Sequence, residues 1–351
     1  RDAVRSPSCR CCYDSEDRRQ PAGDARSVSG GRPSPMTRET THPDLPGRRL
    51  PRFRDALRCP SCRHELQDEP PGLRCVDCGV HYSVVDGRPI LMTKECLAEL
   101  NLRLESDDGQ RMVKEYADSV EVSSPKPLPA WVRALRPPPI MYRYHDDLRQ
   151  APTAILFAED GQERALVLNV GGGPHRVSEH EVTLNIGPFP GVDLVADAHN
   201  IPLADETVDA VFSLAVLEHV GDPQQVVREM MRVLKPGGVL YSEVPFIFFF
   251  HGYPSDYTRF TREGMRRLFS GLEGADIGMT HGPVSAVLQS ANMVMLLLLP
   301  ERFRLLHKLI NGAFRWLLFP LKYLDLLLRR HPDAHILAGG FYVLGRKPAR
   351  S

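Results

Sequence analysis

The chain has 351 residues, enough for two domains or for one large domain with an appendage, which excludes a peptide or a single small module. Lys plus Arg and Asp plus Glu each number 44, so the formal net charge is zero and the global basic excess of a nonspecific nucleic-acid binder is missing. With 42% hydrophobic and 25% charged residues, most of the chain is expected to bury a core; the anomaly is proline, with 18 of its 31 residues before Thr153.

Residues 1–48 read as a disordered tail, because 1–35 are rich in Arg, Ser, Asp, Gly and Pro and almost lack aliphatic side chains. The first methionine is Met36, so 1–35 are expected to be translated upstream sequence rather than native, working protein. Cys9, Cys11 and Cys12 lie in this tail without a second ligand pair at a metal-binding spacing, and read as incidental thiols. No apolar leader is present in the sequence, so a secretory signal is not expected and the assigned location is cytoplasmic.

Residues 49–95 hold a more specific pattern. Cys59 and Cys62 form one C-x-x-C, Cys75 and Cys78 a second, with twelve residues between. Two such knuckles supply the four thiolates of a closed tetrahedral structural Zn²⁺ site, and four thiolates leave no open position for catalysis. His64 and His81 lie nearby but read as surface residues. The run L-R-C-P-S-C, G-L-R-C-V-D-C-G, H-Y-S-V-V-D-G-R-P-I-L resembles the zinc-ribbon module related to the activator subunit of tRNA and protein methyltransferases. After it, 96–150 are expected to hold a helical segment and then a stiff linker carrying Pro125, Pro127, Pro129 and Pro137 to Pro139.

The remainder, 151–351, alternates strand-like and helix-like patterns. Strands are expected at 165–170, 181–186, 192–197, 208–215, 238–245, 276–281 and 341–345. A helix is expected over 223–234, with Asp222 as N-cap and Pro223 at its first position. Nearly continuous apolar strands separated by helices imply an α/β fold, a mostly parallel seven-stranded Rossmann-like sheet with helices on both faces, preceded by the small zinc ribbon. Ligands in such sheets sit beyond the carboxyl ends of the strands.

Four motifs follow in order: L-V-L-N-V-G-G-G-P-H, then D-L-V-A-D-A-H-N-I-P-L, L-A-V-L-E-H-V-G-D-P, and R-V-L-K-P-G-G-V-L-Y-S-E-V-P-F. Together they resemble the class I S-adenosylmethionine-dependent methyltransferases of the type 11 group. The resemblance implies S-adenosylmethionine as cofactor, with Val170, Gly171, Gly172 and Gly173 cradling its methionine end. Asp197 with Ala198 would lie beside the adenine, and Leu217, Glu218 and His219 at the mouth of the active site. Asn169 and Asn185 stand where this group usually carries acids, and bring no negative charge to a cationic ligand.

The segment H-G-Y-P-S-D-Y-T-R-F-T also resembles a loop of that group, placing His251, Tyr253, Asp256, Tyr257 and Arg259 where substrate arrives. His251 is the first candidate for general base and His219 the second, since imidazole titrates near working pH. Asp256 and Arg259 are expected to pair and fix the loop. Residues 294–330 combine leucine runs with Arg and Lys, which suits either helices packed on the sheet or a face touching a membrane interface. The expected acceptor is a small molecule, lipid or glycan. An RNA or translation protein and a noncatalytic scaffold stand as alternatives.

Overall fold

The computed structural model describes residues 51–98, 137–144, 165–173, 181–189, 191–251, 255–299 and 303–350. The expected tail at 1–48, most of the helical segment and linker over 96–150, and Tyr253 lie outside the described residues.

A short helix, α1 (Pro51–Ala56), leads into an antiparallel meander of β1 (Leu66–Glu69), β2 (Gly72–Cys75), β3 (His81–Val85) and β4 (Arg88–Leu91). The back of the chain supplies seven strands: β5 (Val167–Val170), β6 (Glu181–Asn185), β7 (Leu194–Ala196), β8 (Val208–Leu214), β9 (Leu234–Pro245), β10 (Glu273–His281) and β11 (Gly340–Arg346). Strands β5 to β9 are parallel neighbours, whereas β11 runs antiparallel to β9 and to β10. Their nearly unbroken apolar runs, such as Val167-Leu168 and Val208 to Leu214, fit strands covered on both faces.

The sheet has eleven strands, not the expected seven, in the order β1-β2-β3-β4-β7-β6-β5-β8-β9-β11-β10. The difference arises at β7, a three-residue strand that would otherwise end the sheet. Ile90 and Leu91 of β4 pair in parallel with Val195 and Ala196, so the cysteine-bearing meander continues the sheet rather than standing before it. Pairing removes the row of open backbone groups that an edge strand presents. One apolar core runs through the junction, from Phe53, Leu57, Leu73 and Tyr82 to Leu91, Leu184, Leu194 and Leu203.

Polar contacts fasten the same junction. Arg58 donates its backbone N–H to the Pro202 carbonyl at 2.9 Å, and Asn200 donates its amide to the Pro60 carbonyl at 2.6 Å. Arg63 reaches Glu229 at 2.9 Å and the Ile201 carbonyl at 2.7 Å. Glu229 is buried on α2 (Pro223–Val233), where it also accepts from Arg232 and from the Ile201 N–H. Burial opposes ionisation of Glu229, but the Arg232 and Arg63 guanidiniums outweigh it and hold the carboxyl below its ordinary range.

The helix α2 ends one residue before the expected boundary. Asp222 caps it, accepting from the Gln225 N–H at 2.9 Å, with Pro223 in the first turn. A second helix of this half, α3 (Arg262–Leu268), is capped by Thr261, which accepts from the Gly264 N–H at 3.1 Å. Between β10 and β11 lie α4 (Pro283–Leu297), α5 (Arg304–Leu318) and the short α6 (Asp325–Leu328). No helix among the described residues is long and apolar enough to cross a membrane.

Leu91 is fully buried where the meander meets the sheet. Leu91→Ala is expected to cost about 2–5 kcal/mol and to lower the single denaturant midpoint of the whole chain, measured in parallel by circular dichroism and tryptophan fluorescence.

Candidate functional site

Parallel strands aim their carboxyl ends at one edge, and the four motif loops meet there. The turn after β5 is tight. Gly171 has φ +76°, and a Cβ placed on it would lie 2.3 Å from Val216 Cγ2 of the loop after β8. Gly172 is equally enclosed, since its Cβ would meet the Asn169 amide at 2.4 Å. Glycine is therefore required twice, once for the left-handed backbone and once for the close approach of neighbouring groups. The Gly171 N–H donates to the Leu184 carbonyl at 2.8 Å, and Asn185 donates to the Gly172 carbonyl at 2.9 Å, which ties the turn to the end of β6.

Asn169 is buried below this turn and donates to Glu181 of β6 at 2.7 Å, with Thr183 donating to the same carboxylate at 3.2 Å. A carboxylate thus lies one strand away from the asparagine that stands in an acid's place. Glu181 escaped the sequence reading because it occupies an apolar strand, E-V-T-L-N, where nothing but tertiary pairing reveals its neighbour. Asp197 follows β7 and caps the turn Ala198–Asn200 by accepting from the His199 N–H at 2.9 Å. The His199 ring bonds the same oxygen at 2.7 Å, and its other nitrogen accepts from the Asp222 N–H at 3.2 Å. With Nε2 accepting, the ring proton lies on Nδ1 and points at Asp197.

After β8 the chain turns through Ala215, φ +54°, and presents Leu217, Glu218 and His219. Glu218 is fully buried, yet neither carboxylate oxygen accepts a hydrogen bond among the described residues. Its backbone carbonyl instead accepts from the Tyr257 N–H at 2.7 Å, which pins the loop after β9 over it. That loop brings His251 back: His251 Nε2 lies 3.6 Å and His219 Nε2 3.7 Å from Glu218 Oε1. The two imidazole rings are 4.9 Å apart and nearly perpendicular, 84° between planes. The Glu218 carboxylate, facing the ring from 3.6 Å, raises His251 above the ordinary histidine range, against the desolvation that lowers it.

Asp256 and Arg259 form the expected ion pair, and Asp256 also accepts from the His251 N–H at 3.0 Å. Burial works against the Asp256 carboxylate, but Arg259 and the His251 N–H outweigh it and keep it below the usual range. Tyr257 is exposed at the same edge. Of the expected site residues, Val170 to Gly173, Asn185, Asp197, Ala198, Leu217 to His219 and His251 all fall at the carboxyl ends of the parallel strands. Asn169 lies beneath them.

At the far edge of the sheet, Cys59, Cys62, Cys75 and Cys78 converge, their sulfurs all within 4.8 Å of one another. Cys59 and Cys78 Sγ are 3.6 Å apart and Cys62 and Cys75 Sγ 3.3 Å, near the edge length of about 3.8 Å implied by four 2.3 Å bonds to a tetrahedral centre. All four are free thiols. Burial resists ionisation at Cys75, but the Cys78 and Asp77 backbone N–H groups and the neighbouring thiols prevail and lower it to about 6. His64 and His81 are exposed, as expected. Arg58, Arg63 and Arg74, the basic residues of this meander, each have partners within the chain.

The segment 294–330 shows an unexpected degree of exposure. Leu297, Leu298, Leu305, Leu309, Leu317 and Leu327 are all more than 60% exposed. Because β10 ends at His281 beside Gly340, and Gly340 also pairs with Pro245 at the end of β9, α4 to α6 emerge from the same edge as the motif loops. A remote side chain anchors them: Asp325 is buried and accepts from the Val284 and Ser285 N–H groups at 2.8 and 3.0 Å, capping α4 from 40 residues away.

Residues 176–242 match the family model described as "Methyltransferase domain". An uncharacterized methyltransferase of Mycobacterium bovis (strain BCG / Pasteur 1173P2) is 47% identical over 51 residues, 14% of this chain and 20% of its own length. An uncharacterized methyltransferase of Mycobacterium leprae (strain Br4923) is 36% identical over 87 residues, 25% of this chain and 30% of its own. Such matches span less than a third of the curated relatives. Among solved structures, the Burkholderia thailandensis 1,6-didemethyltoxoflavin-N1-methyltransferase aligns with 78% of this chain and 97% of its own at 14% identity and a TM-score of 0.37. Residues 176–242 thus carry similarity to a methyltransferase domain.

Proposed function

We propose that the chain is an S-adenosylmethionine-dependent methyltransferase acting on a small-molecule or lipid-like acceptor. One observation carries the reading: a glycine turn closed to any side chain and a buried Glu218 with two histidines meet at the carboxyl edge of a parallel sheet. When bound, S-adenosylmethionine supplies a methyl group already activated as a sulfonium. Val170 to Gly173 would hold its methionine end, Asn185 would face the ribose and Asp197 with Ala198 the adenine. Glu181, which accepts from Asn169, supplies the carboxyl group that Asn169 itself lacks.

The remaining task of the protein is to align the acceptor and take its proton. His251 is the proposed base. Its Nε2 faces Glu218, which stabilises the imidazolium formed when the acceptor loses its proton, while Asp256 and Arg259 hold the loop in place. Purified protein is expected to bind S-adenosylmethionine in calorimetry. Gly172→Val should abolish that binding, whereas His251→Gln should retain it and lower kcat by about 10²–10⁴. Absence of binding by the unaltered chain would sink the reading.

The exposed leucines point to a lipid-like acceptor. Lys308, Arg329 and Arg330 are exposed among them, while the acid within α6, Asp325, is buried. Apolar side chains edged by cations suit an interface of anionic lipid. The full chain is expected to sediment with vesicles containing phosphatidylglycerol more than with phosphatidylcholine alone. Leu305→Asp with Leu309→Asp should reduce that sedimentation at least tenfold, without loss of secondary structure.

For the cysteine cluster we propose a structural zinc, held by Cys59, Cys62, Cys75 and Cys78, that keeps the meander folded against the sheet. One zinc per chain is expected by elemental analysis of this cluster. Cys59→Ser with Cys62→Ser should remove it and lower the thermal midpoint.

A further inference from the structure

We infer that Glu218, His219 and His251 form a second metal site, for a divalent first-row transition ion such as Mn²⁺, Fe²⁺ or Zn²⁺. The three ligand atoms lie within 4.8 Å of one another, with Glu218 Oε1 facing both Nε2 atoms at 3.7 and 3.6 Å. Bonds of about 2.1 Å to a tetrahedral ion would set those separations near 3.4 Å, a movement of a few tenths of an ångström.

Each side chain is prepared for the task by its surroundings. His219 Nδ1 lies 2.6 Å from the Ser255 carbonyl, which can only accept, so Nδ1 carries a proton and Nε2 is the nitrogen turned toward Glu218. His251 Nδ1 faces the Phe249 carbonyl at 3.3 Å and Asp256 Oδ2 at 3.5 Å, so Nε2 is again the nitrogen turned toward Glu218. A ligating histidine whose other nitrogen donates to a carbonyl or carboxylate is the usual outer-shell arrangement of metal sites. The independent observation is Glu218. Burying a carboxylate without hydrogen bonds is costly, and both of its oxygens are buried with none among the described residues. A cation between the three groups supplies what the carboxylate lacks.

Two histidines and one carboxylate on one side of an ion leave open positions on the other, and the donor set suits first-row divalent metals better than calcium or magnesium. The three ligands lie at the edge where the acceptor is proposed to bind. An acceptor hydroxyl bound there would have its pKa lowered, so that its proton could pass to solvent. Metal and proton compete for His251 Nε2, and the bound ion would take the place of the base. The inference rests on the methyltransferase reading only for this last consequence.

Mn²⁺ serves as the probe, because the thiolate cluster discriminates against it. The full chain, with its cysteine cluster loaded with zinc beforehand, is titrated with Mn²⁺ and free ion is followed by electron paramagnetic resonance. About one Mn²⁺ per chain is expected, bound at least tenfold more weakly by Glu218→Gln and by His251→Gln, and unchanged in Arg228→Ala. His219→Gln gives a further variant where Glu218→Gln fails to fold. Binding of no Mn²⁺, Fe²⁺ or second Zn²⁺, or binding that survives all three substitutions, overturns the metal site and leaves a proton-holding pair. Failure to bind S-adenosylmethionine alongside intact Mn²⁺ binding would instead remove the methyltransferase reading alone.

Discussion

Strand direction is the constraint on which the molecule depends. Because β5 to β9 run parallel, every loop that follows one of them opens at the same edge, and residues distant in sequence, Gly171 with Val216 and Glu218 with His251, become neighbours. The glycine turn touches the loop after β8 through Val216, and that loop carries Glu218. The loop after β9 is in turn hung on the Glu218 carbonyl. A single buried residue therefore belongs to the scaffold through its backbone and, in the proposed mechanism, to the chemistry through its side chain.

The meander at the other side of the sheet does more than carry cysteines. By pairing Ile90 and Leu91 with β7 it lends an eleven-strand sheet a covered edge, and Arg63 extends the contact into the buried Glu229. Arg63 itself has φ +67°, so its backbone leaves the ordinary range in the turn that joins the second cysteine of the first pair to His64. The spacing of the cysteines and the route of the arginine are thus consequences of one knuckle geometry.

Much of this was legible from local patterns. Asp222-Pro223 with its apolar face specifies a helix start, and the paired C-x-x-C steps specify four convergent sulfurs. These signals act over a few residues, where sequence distance and spatial distance agree. The pairing of β4 with β7 does not have that character, nor does the capping of α4 by Asp325 or the bond from Asn169 to Glu181. Each joins groups that only the completed topology brings together. The motif series pointed to Glu218 and His251 as separate loop residues; their common approach with His219 required both the parallel sheet and the bond from Tyr257 to the Glu218 carbonyl.

The covered edge of β7 has a consequence for the life of the chain in a cell. A strand of three residues, Leu194-Val195-Ala196, is apolar throughout and is a template for another copy's strand whenever β4 is away from it. β4 belongs to the meander that carries the four cysteines, so on the proposed zinc reading metal supply and protein homeostasis would converge on one strand. On that reading, a chain short of zinc would leave the strand uncovered and open to self-association.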